Sequence, residues 1–329
     1  MDTEFKFTDI GDDARRQYID AQSVFTALEE ARKKGAQYRG GMIWKKTEKT
    51  DYLLRTQTDN SQKSLGPRSP ETEEIYHKFT TTKATIESRI KELQETLERH
   101  KRMNRALFVG RAPQILVNIL DVFARVGIAE HFRVIGTNAL YAYESAAGIR
   151  ILRTDALATQ DVDLLWNTRK RLKFITQMNN INSSMIGLLQ KVDKTFEIRD
   201  DQKFTAVNSS GFEVDIIRRD ASKGDPHPLR LTDAAEDEFY AVQINESGKL
   251  IDSHKFTSII VSASGSMARI HTISPIEFVK LKKMLSEKSN RNILKKPKDA
   301  LQAKIVNQLI SEYLPHLLPK KNISKGQGR

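Results

Sequence analysis

The stretch 159-TQDVDLLW-166 places two aspartates, Asp161 and Asp163, inside a run that otherwise has the apolar character of a buried strand. In an extended chain alternate side chains share a face, and residues two apart stand roughly 6–7 Å from each other. Asp161 and Asp163 therefore occupy one face while Val162 and Leu164 occupy the other. Two like charges so placed repel, and the arrangement persists either because both face solvent or because a cation lies between them. For one Asp-Val-Asp triplet by itself, an exposed strand edge is the more economical reading.

The neighbouring sequence adds two features. Upstream, Val134 and Ile135 end an apolar strand, Gly136 follows, and Thr137 with Asn138 opens a helix. Free backbone N–H groups at such a turn, next to a residue without a side chain, form a phosphate seat in principle. A plain turn glycine, with Thr137 acting only as a cap, is the alternative. Downstream, 210-SGFEVDIIRR-219 repeats the alternation, with Glu213 and Asp215 on one face and Phe212, Val214 and Ile216 on the other. If the two acidic strands are neighbours, about 4.8 Å apart, Asp161, Asp163 and Asp215 converge. Such a set of carboxylates is a hard-oxygen site suited to Mg²⁺ and substrate phosphates.

Around this centre, helix and strand signals alternate. The apolar periodicity of "PQILVNILDVFARVGIAEHF" predicts an amphipathic helix, "FRVIG" a strand, "TNALYAYESAAG" a helix ending at Gly148, and "KRLKFITQMNNINSSMIGLLQKV" a further helix. "FTAVN", "FEVDIIR" and "SIIVSAS" are strand candidates, and two helices close the chain, the first opened by a capping box from Ser274 to Glu277 around Pro275. The class is α+β or mixed α/β, a mixed sheet with helices packed on it. The N-terminal part reads as a helix over 14–35, a hairpin from Met42–Lys46 and Tyr52–Thr56, a loop over "SQKSLGPRSP", and a long charged helix from Glu71 to about Asn104. In that helix Phe79, Ile86, Ile90, Leu93 and Leu97 recur at helical spacing, which suits packing within the chain better than a dimer seam of two to three heptads. The expected division is 1–105, a helical region with a hairpin; 106–270, the catalytic domain; and 271–329, a helical region ending in a loose basic tail.

The chain has 329 residues, 39% hydrophobic, enough for one large core or two ordinary ones. No apolar run reaches the roughly 18 residues needed to span a bilayer, and the acidic N-terminus carries no secretory core, so a cytoplasmic protein without a membrane partner is expected. The absence of cysteine excludes disulfides, thiolate catalysis and cysteine-ligated metals. His227 and His271 lack ligand-like spacing, so zinc is not expected. Lys and Arg outnumber Asp and Glu by 54 to 42, which favours a polyanionic partner such as nucleic acid. The basic residues occur along the whole chain, and a surface that merely keeps the protein soluble is an equal alternative. Trp44, Lys45, Lys46, Tyr52, Arg55, Lys63 and Arg68 interleave rings and cations as a grip on an acceptor strand does, although a hairpin packed on the catalytic domain shows the same pattern and is preferred.

A strand ending in Gly, a small hydroxyl residue opening a helix, Asp-hydrophobic-Asp, and a third Asp on a later strand together resemble the nucleotidyltransferase superfamily typified by DNA polymerase β. The match runs over roughly residues 130–220, and the basic helical end "KLKKMLSEKSNRNILKKPKDALQA" is similar to that of the bacterial abortive-infection and toxin–antitoxin branches. The resemblance implies that Asp161, Asp163 and Asp215 bind Mg²⁺ or Mn²⁺ and do the chemistry, and that Gly136, Thr137 and Asn138 hold the triphosphate. It further implies that Arg153, Lys280, Lys282 or Lys298 neutralises the phosphates. Trp166 is a base-stacking candidate or, preferably, core. Two departures stand out: Thr137 occupies a position that is usually Gly or Ser, and the segment from Gly136 to Asp161 is long. The implied activity is transfer of a nucleoside monophosphate from an NTP, such as ATP, to a hydroxyl, with nucleic acid and especially tRNA as the leading acceptor, and a protein or small molecule as others. A catalytically idle fold that binds nucleic acid or protein is the contrasting expectation. A second copy of the chain or an antitoxin-like partner is a further one.

Overall fold

The structure is a computed structural model that describes residues 7–57, 61–181, 183–219, 229–231, 239–243, 250 and 252–318. His227 and the tail 319–329 lie outside the described residues. The chain runs through β1 (Phe7–Asp9), α1 (Asp12–Gly35), β2 (Gly41–Lys46), β3 (Asp51–Thr56), β4 (Gln62–Pro67) and α2 (Pro70–Ala106). Then follow α3 (Gln114–Val126), β5 (Phe132–Ile135), α4 (Leu140–Ala147), β6 (Ile149–Ile151), the single turn α5 (Thr154–Leu157) and β7 (Asp161–Trp166). The remainder comprises α6 (Arg171–Ile181), α7 (Met185–Gln190), β8 (Glu197–Ile198), β9 (Thr205–Val207), β10 (Glu213–Arg218), β11 (Leu229–Arg230) and β12 (Tyr240–Gln243). It ends with β13 (Lys255–Val261), β14 (Met267–Ile273), α8 (Pro275–Glu287) and α9 (Lys295–Tyr313).

The principal sheet is mixed and has the order β11-β12-β10-β7-β5-β14-β13, with β9 on β10 and β8 on β9. β7 lies between β10, to which it is parallel, and β5, to which it is antiparallel. The inner face of this pair carries Val162, Leu164, Val214 and Ile216, all fully buried, and ends at Trp166 and the buried Arg218. This is what the alternation in both strands requires, since a one-residue slip would bring the aspartates into the core. The α/β class expected from the sequence is the observed one.

The C-terminal helices α8 and α9 pack on each other and contribute Phe278, Ile305, Val306, Leu309 and Ile310 to the same core as the sheet. The expected boundary at residue 270 falls within β14, whose Thr272 pairs with Val134 of β5. Ser274 caps α8 by accepting from the Glu277 N–H at 3.2 Å, while the Glu277 carboxylate pairs with Lys280, so the expected capping box is formed on the serine side alone.

The N-terminal helices α1 and α2 bury Leu28, Ala31 and Leu93 against each other, with Ile90 and Leu97 alongside, so the apolar stripe of the long helix is used inside the chain. They are tied to the β13–β14 hairpin by Tyr18, which donates to the Ile259 carbonyl at 2.7 Å, and by the Arg269–Glu29 ion pair at 2.6 Å. The stretch expected to be a loop after the hairpin instead forms a third strand, β4, with Gly66 at φ 129 and a register shift opposite Leu53 and Leu54. Pro67 and Gly66 mask its strand character, but at a sheet edge proline forgoes no ladder bond and a glycine bulge is tolerated. The helical segment predicted after Trp166 is two helices, because Ser184 caps a new start at α7.

Candidate active site

β7 and β10 pair in parallel with Asp161 opposite Glu213 and Asp163 opposite Asp215. Four carboxylates thus occupy the outer face of two adjacent strands, over the buried inner face. The strand containing Asp215, predicted to lie across from Asp161 and Asp163, does so. Glu213 shares Arg199 with Asp201, at 2.8 and 3.0 Å, and its charge still acts on Asp215, so it belongs with the three aspartates to one acidic face.

Asp163 is at the centre. Burial, then the charges of Asp161 and Asp215, push its carboxyl up to about 7, against the opposing fields of Lys282 and Lys295. Asp215 is also raised, chiefly by burial, despite the hydrogen bond it accepts from Thr205 Oγ1 at 2.5 Å. Asp161 accepts from the Thr159 hydroxyl. The carboxylates share a face, yet among the described residues no three acidic or histidine side chains are set to hold one metal ion as they stand. The strands bring the three positions onto one face, where Asp161 and Asp215 each accept from a threonine hydroxyl.

Gly136 adjoins this group. Ile135 pairs with Asp163 across β5 and β7, and the chain turns at Gly136 with φ +71, where any side chain would collide with Asp163 Oδ2. The residue is glycine for two reasons, a left-handed backbone and the close approach of a carboxylate. Thr137 and Asn138 follow in a short 3-10 turn before α4. Both are buried: Thr137 Oγ1 accepts from Gln302 Nε2 at 3.1 Å, and Asn138 Nδ2 donates to the Asp161 carbonyl at 2.6 Å. Asn138 Oδ1 is buried without a hydrogen-bond partner. The turn is thus fastened to β7 on one side and to α9 on the other.

The expected basic residues separate into two groups. Lys282 is buried and pairs with Asp299 at 2.7 Å. Lys298 donates to the Ala158 carbonyl at 2.5 Å, and burial together with neighbouring Lys282 holds its ammonium below the usual lysine value. These two and Lys295 act on the aspartates. Lys280 is instead exposed and paired with Glu277 at 2.8 Å, because it falls on the solvent side of α8, and Arg153 is paired with Asp155 at 2.6 Å, outside the group. Both of these expected phosphate ligands are engaged in local ion pairs. Lys295, Asp299 and Gln302 were not anticipated, although Lys295, Lys298, Asp299 and Gln302 follow helical spacing along one side of α9.

Trp166 is fully buried and meets Phe174 edge-on at 5.3 Å, so it is core. In the N-terminal sheet Arg55 is spent on the carbonyls of Arg39, Gly41 and Thr56, while Arg68 binds Glu73 and Asp51 and lies over Trp44, so these cations are used locally and the hairpin packs on α2, not on the catalytic domain as expected. Two cavities, of about 260 Å³ beside Arg111 and Glu144 and about 910 Å³ between α1, α2 and β14, include none of the carboxylate-face residues.

A family model described as nucleotidyltransferase matches residues 114–325. The chain belongs to this nucleotidyltransferase family. The match contains the Gly136 turn, all three aspartates and both C-terminal helices, and leaves α1, the β2–β4 sheet and α2 outside. No curated protein and no solved structure matches the chain. Counted by region, the basic excess of this nucleotidyltransferase is uneven: residues 106–270 hold 20 basic and 20 acidic side chains, whereas 271–329 hold 13 and 4. The charge that seemed dispersed belongs mostly to the C-terminal helices and tail. No helix among the described residues is long and apolar enough to cross a membrane.

Proposed function

We propose that the protein transfers a nucleoside monophosphate from an NTP to a hydroxyl of a nucleic-acid acceptor and releases pyrophosphate, with Asp161, Asp163 and Asp215 as the catalytic carboxylates. The observation that carries this reading is the in-register pairing of Asp163 with Asp215, with the glycine turn packed against Asp163. The donor set suits a hard divalent cation: the ligands are all oxygen, and Asp163 sits among like charges that a cation would balance. The pairing of β7 with β10 already puts the carboxylates on one face, and Thr159 and Thr205 hold Asp161 and Asp215 there by hydrogen bonds that a cation would compete with. When bound, Mg²⁺ or Mn²⁺ supplies charge neutralisation for the triphosphate and the displacement.

The chain's own groups account for the remaining steps. The acceptor oxygen forms a bond to the α-phosphorus, the bond from that phosphorus to the bridging β-oxygen breaks, and pyrophosphate leaves. Asp215, whose carboxyl burial raises, accepts the proton from the attacking hydroxyl. The backbone at Gly136 and Thr137 seats the phosphates, and Lys295 and Lys298 offset their charge. The basic excess of residues 271–329 supports a polyanionic acceptor, and tRNA is the first to try.

Incubation with labelled NTPs, Mg²⁺ and total RNA, beside an Asp161→Ala/Asp163→Ala variant, tests the proposal. Label transfer by the wild type alone is expected. RNA binding that survives the substitutions, with no transfer from any NTP, refutes the enzyme and leaves a binding module.

A further inference from the structure

The cavity of about 260 Å³ lies where the N-terminal elements meet the region matched to the family. Its wall holds Arg15 from α1, Arg111 from the connection between α2 and α3, Arg150 from β6, and Tyr141, Glu144 and Ser145 from α4. Pairing of β1 with β6, Asp9 opposite Ile149, brings the start of α1 to this side of α4. The cavity shares α4 with the candidate active site, since that helix follows the Gly136 turn, but no residue of the carboxylate face lines it.

Three guanidiniums and one carboxylate meet here. Glu144 is buried and both its oxygens are in use: Oε1 accepts from the Ile151 N–H at 2.7 Å and from Arg111 Nη2, and Oε2 accepts from Arg111 Nε at 3.3 Å. Arg111 Nη2 also donates to the Ile151 carbonyl at 2.6 Å, so Arg111 is fixed while its Nη1 engages none of the described residues. Arg150 uses only Nη2, on the Phe108 carbonyl, and Arg15 has only a 3.5 Å contact with Asp9, outside the cavity wall. The hydroxyls of Tyr141 and Ser145 bond to none of the described residues, although Tyr141 is buried. Burial, then the charge of Glu144, hold the proton on the Tyr141 hydroxyl and keep it a donor.

A cavity that stays empty is apolar, whereas one walled by unpaired donors takes up water or a ligand. Two of the three positive charges have no counter-charge in the wall, so an occupant that balances them carries two negative charges. A phosphomonoester does so near neutral pH and offers three acceptor oxygens to the forked guanidinium donors; a single carboxylate balances only one. The two hydroxyls suit a polyhydroxylated body, and a volume below the roughly 300 Å³ at which drug-sized ligands begin keeps that body small. We infer that this cavity is a second binding site, for a small sugar phosphate, in which Arg15, Arg111 and Arg150 take the phosphate and Tyr141 and Ser145 the sugar hydroxyls. The assignment is independent of nucleotidyl transfer at the carboxylate face.

Titration calorimetry on the full-length protein in metal-free buffer, with ribose 5-phosphate and inorganic phosphate as probes, tests this. Ribose 5-phosphate is expected to bind at one site, and inorganic phosphate, which lacks the sugar hydroxyls, about tenfold more weakly. Arg15→Gln and Arg150→Gln, at side chains that are not buried, should each weaken ribose 5-phosphate about tenfold, and Tyr141→Phe about fivefold. Thermal unfolding without ligand checks that each variant folds; with ribose 5-phosphate the midpoint should rise in wild type and not in the arginine variants. Should an arginine variant not fold, Tyr141→Phe must still weaken ribose 5-phosphate and leave inorganic phosphate unchanged. A Lys295→Ala/Lys298→Ala variant should bind as wild type does. Loss of binding there, with retention in the arginine variants, puts the phosphate on the carboxylate face and overturns the assignment. A wild type that binds neither probe, or both equally, overturns it as well.

Discussion

Replacing Asp163 by asparagine should stabilise the protein at alkaline pH and leave its stability unchanged in acid. The carboxyl sits between Asp161 on its own strand and Asp215 across the sheet, and its pKa is raised to about 7 from an ordinary value of 3.8. Below about pH 4 both folded and unfolded chains hold the proton, and the group contributes nothing. Between there and pH 7 the folded chain retains a proton that the unfolded chain has released, so wild-type stability falls by about 1.4 kcal/mol per pH unit. Above pH 7 the loss is complete, at most about 4 kcal/mol. Asparagine mimics the protonated form and escapes the whole penalty. Urea unfolding of both proteins in EDTA, from pH 3.5 to 8.5, should give curves that coincide in acid and diverge through the intermediate range. Millimolar Mg²⁺ should then stabilise the wild type more than the variant, by about 2.7 kcal/mol at a hundredfold excess over the dissociation constant. A variant no more stable than wild type at pH 8.5, or equally favoured at pH 3.5, would show that burial and the neighbouring aspartates do not raise the Asp163 carboxyl as placed.

Other substitutions separate the roles of neighbouring residues. Gly136→Ala forces a left-handed backbone and a collision with Asp163; a loss of about 2 kcal/mol or more in urea unfolding is expected, with loss of labelled-NTP transfer. Lys280→Ala should leave nucleotide affinity unchanged because its ammonium is exposed and paired with Glu277, whereas Lys295→Ala should weaken binding several-fold in a fluorescent-nucleotide titration. Glu144→Ala leaves Arg111 partly buried without its carboxylate and should cost about 3 kcal/mol in the same unfolding experiment, with nucleotide affinity unaffected.

The local chemistry of the site was legible in the order of residues. Alternation in "DVDLLW" and "FEVDIIR" puts aspartates on one face and aliphatics on the other whatever the fold, since the two-residue period of a strand belongs to the backbone itself. Gly136 between a strand and a helix likewise declares a turn. The edge strand β4 stayed hidden because the Gly and Pro in it are ordinary loop signals, and only pairing with β3 makes them compatible with a strand.

The pairing of Asp163 with Asp215, by contrast, joins positions 52 residues apart and depends on how the intervening helices and strands return the chain to β7 in that register. The sorting of the lysines was decided at longer range. Lys280 and Lys282 are two residues apart on α8, roughly 200° around the helix. One faces water, and the other is buried against Asp299 only because α9 packs there. Gln302 reaches Thr137 across a separation of 165 residues by the same packing. Which face a residue takes within its own element is set by backbone stereochemistry and can be read from the chain. Which elements meet is set by burial of the apolar faces that they share, and that is a property of the whole fold.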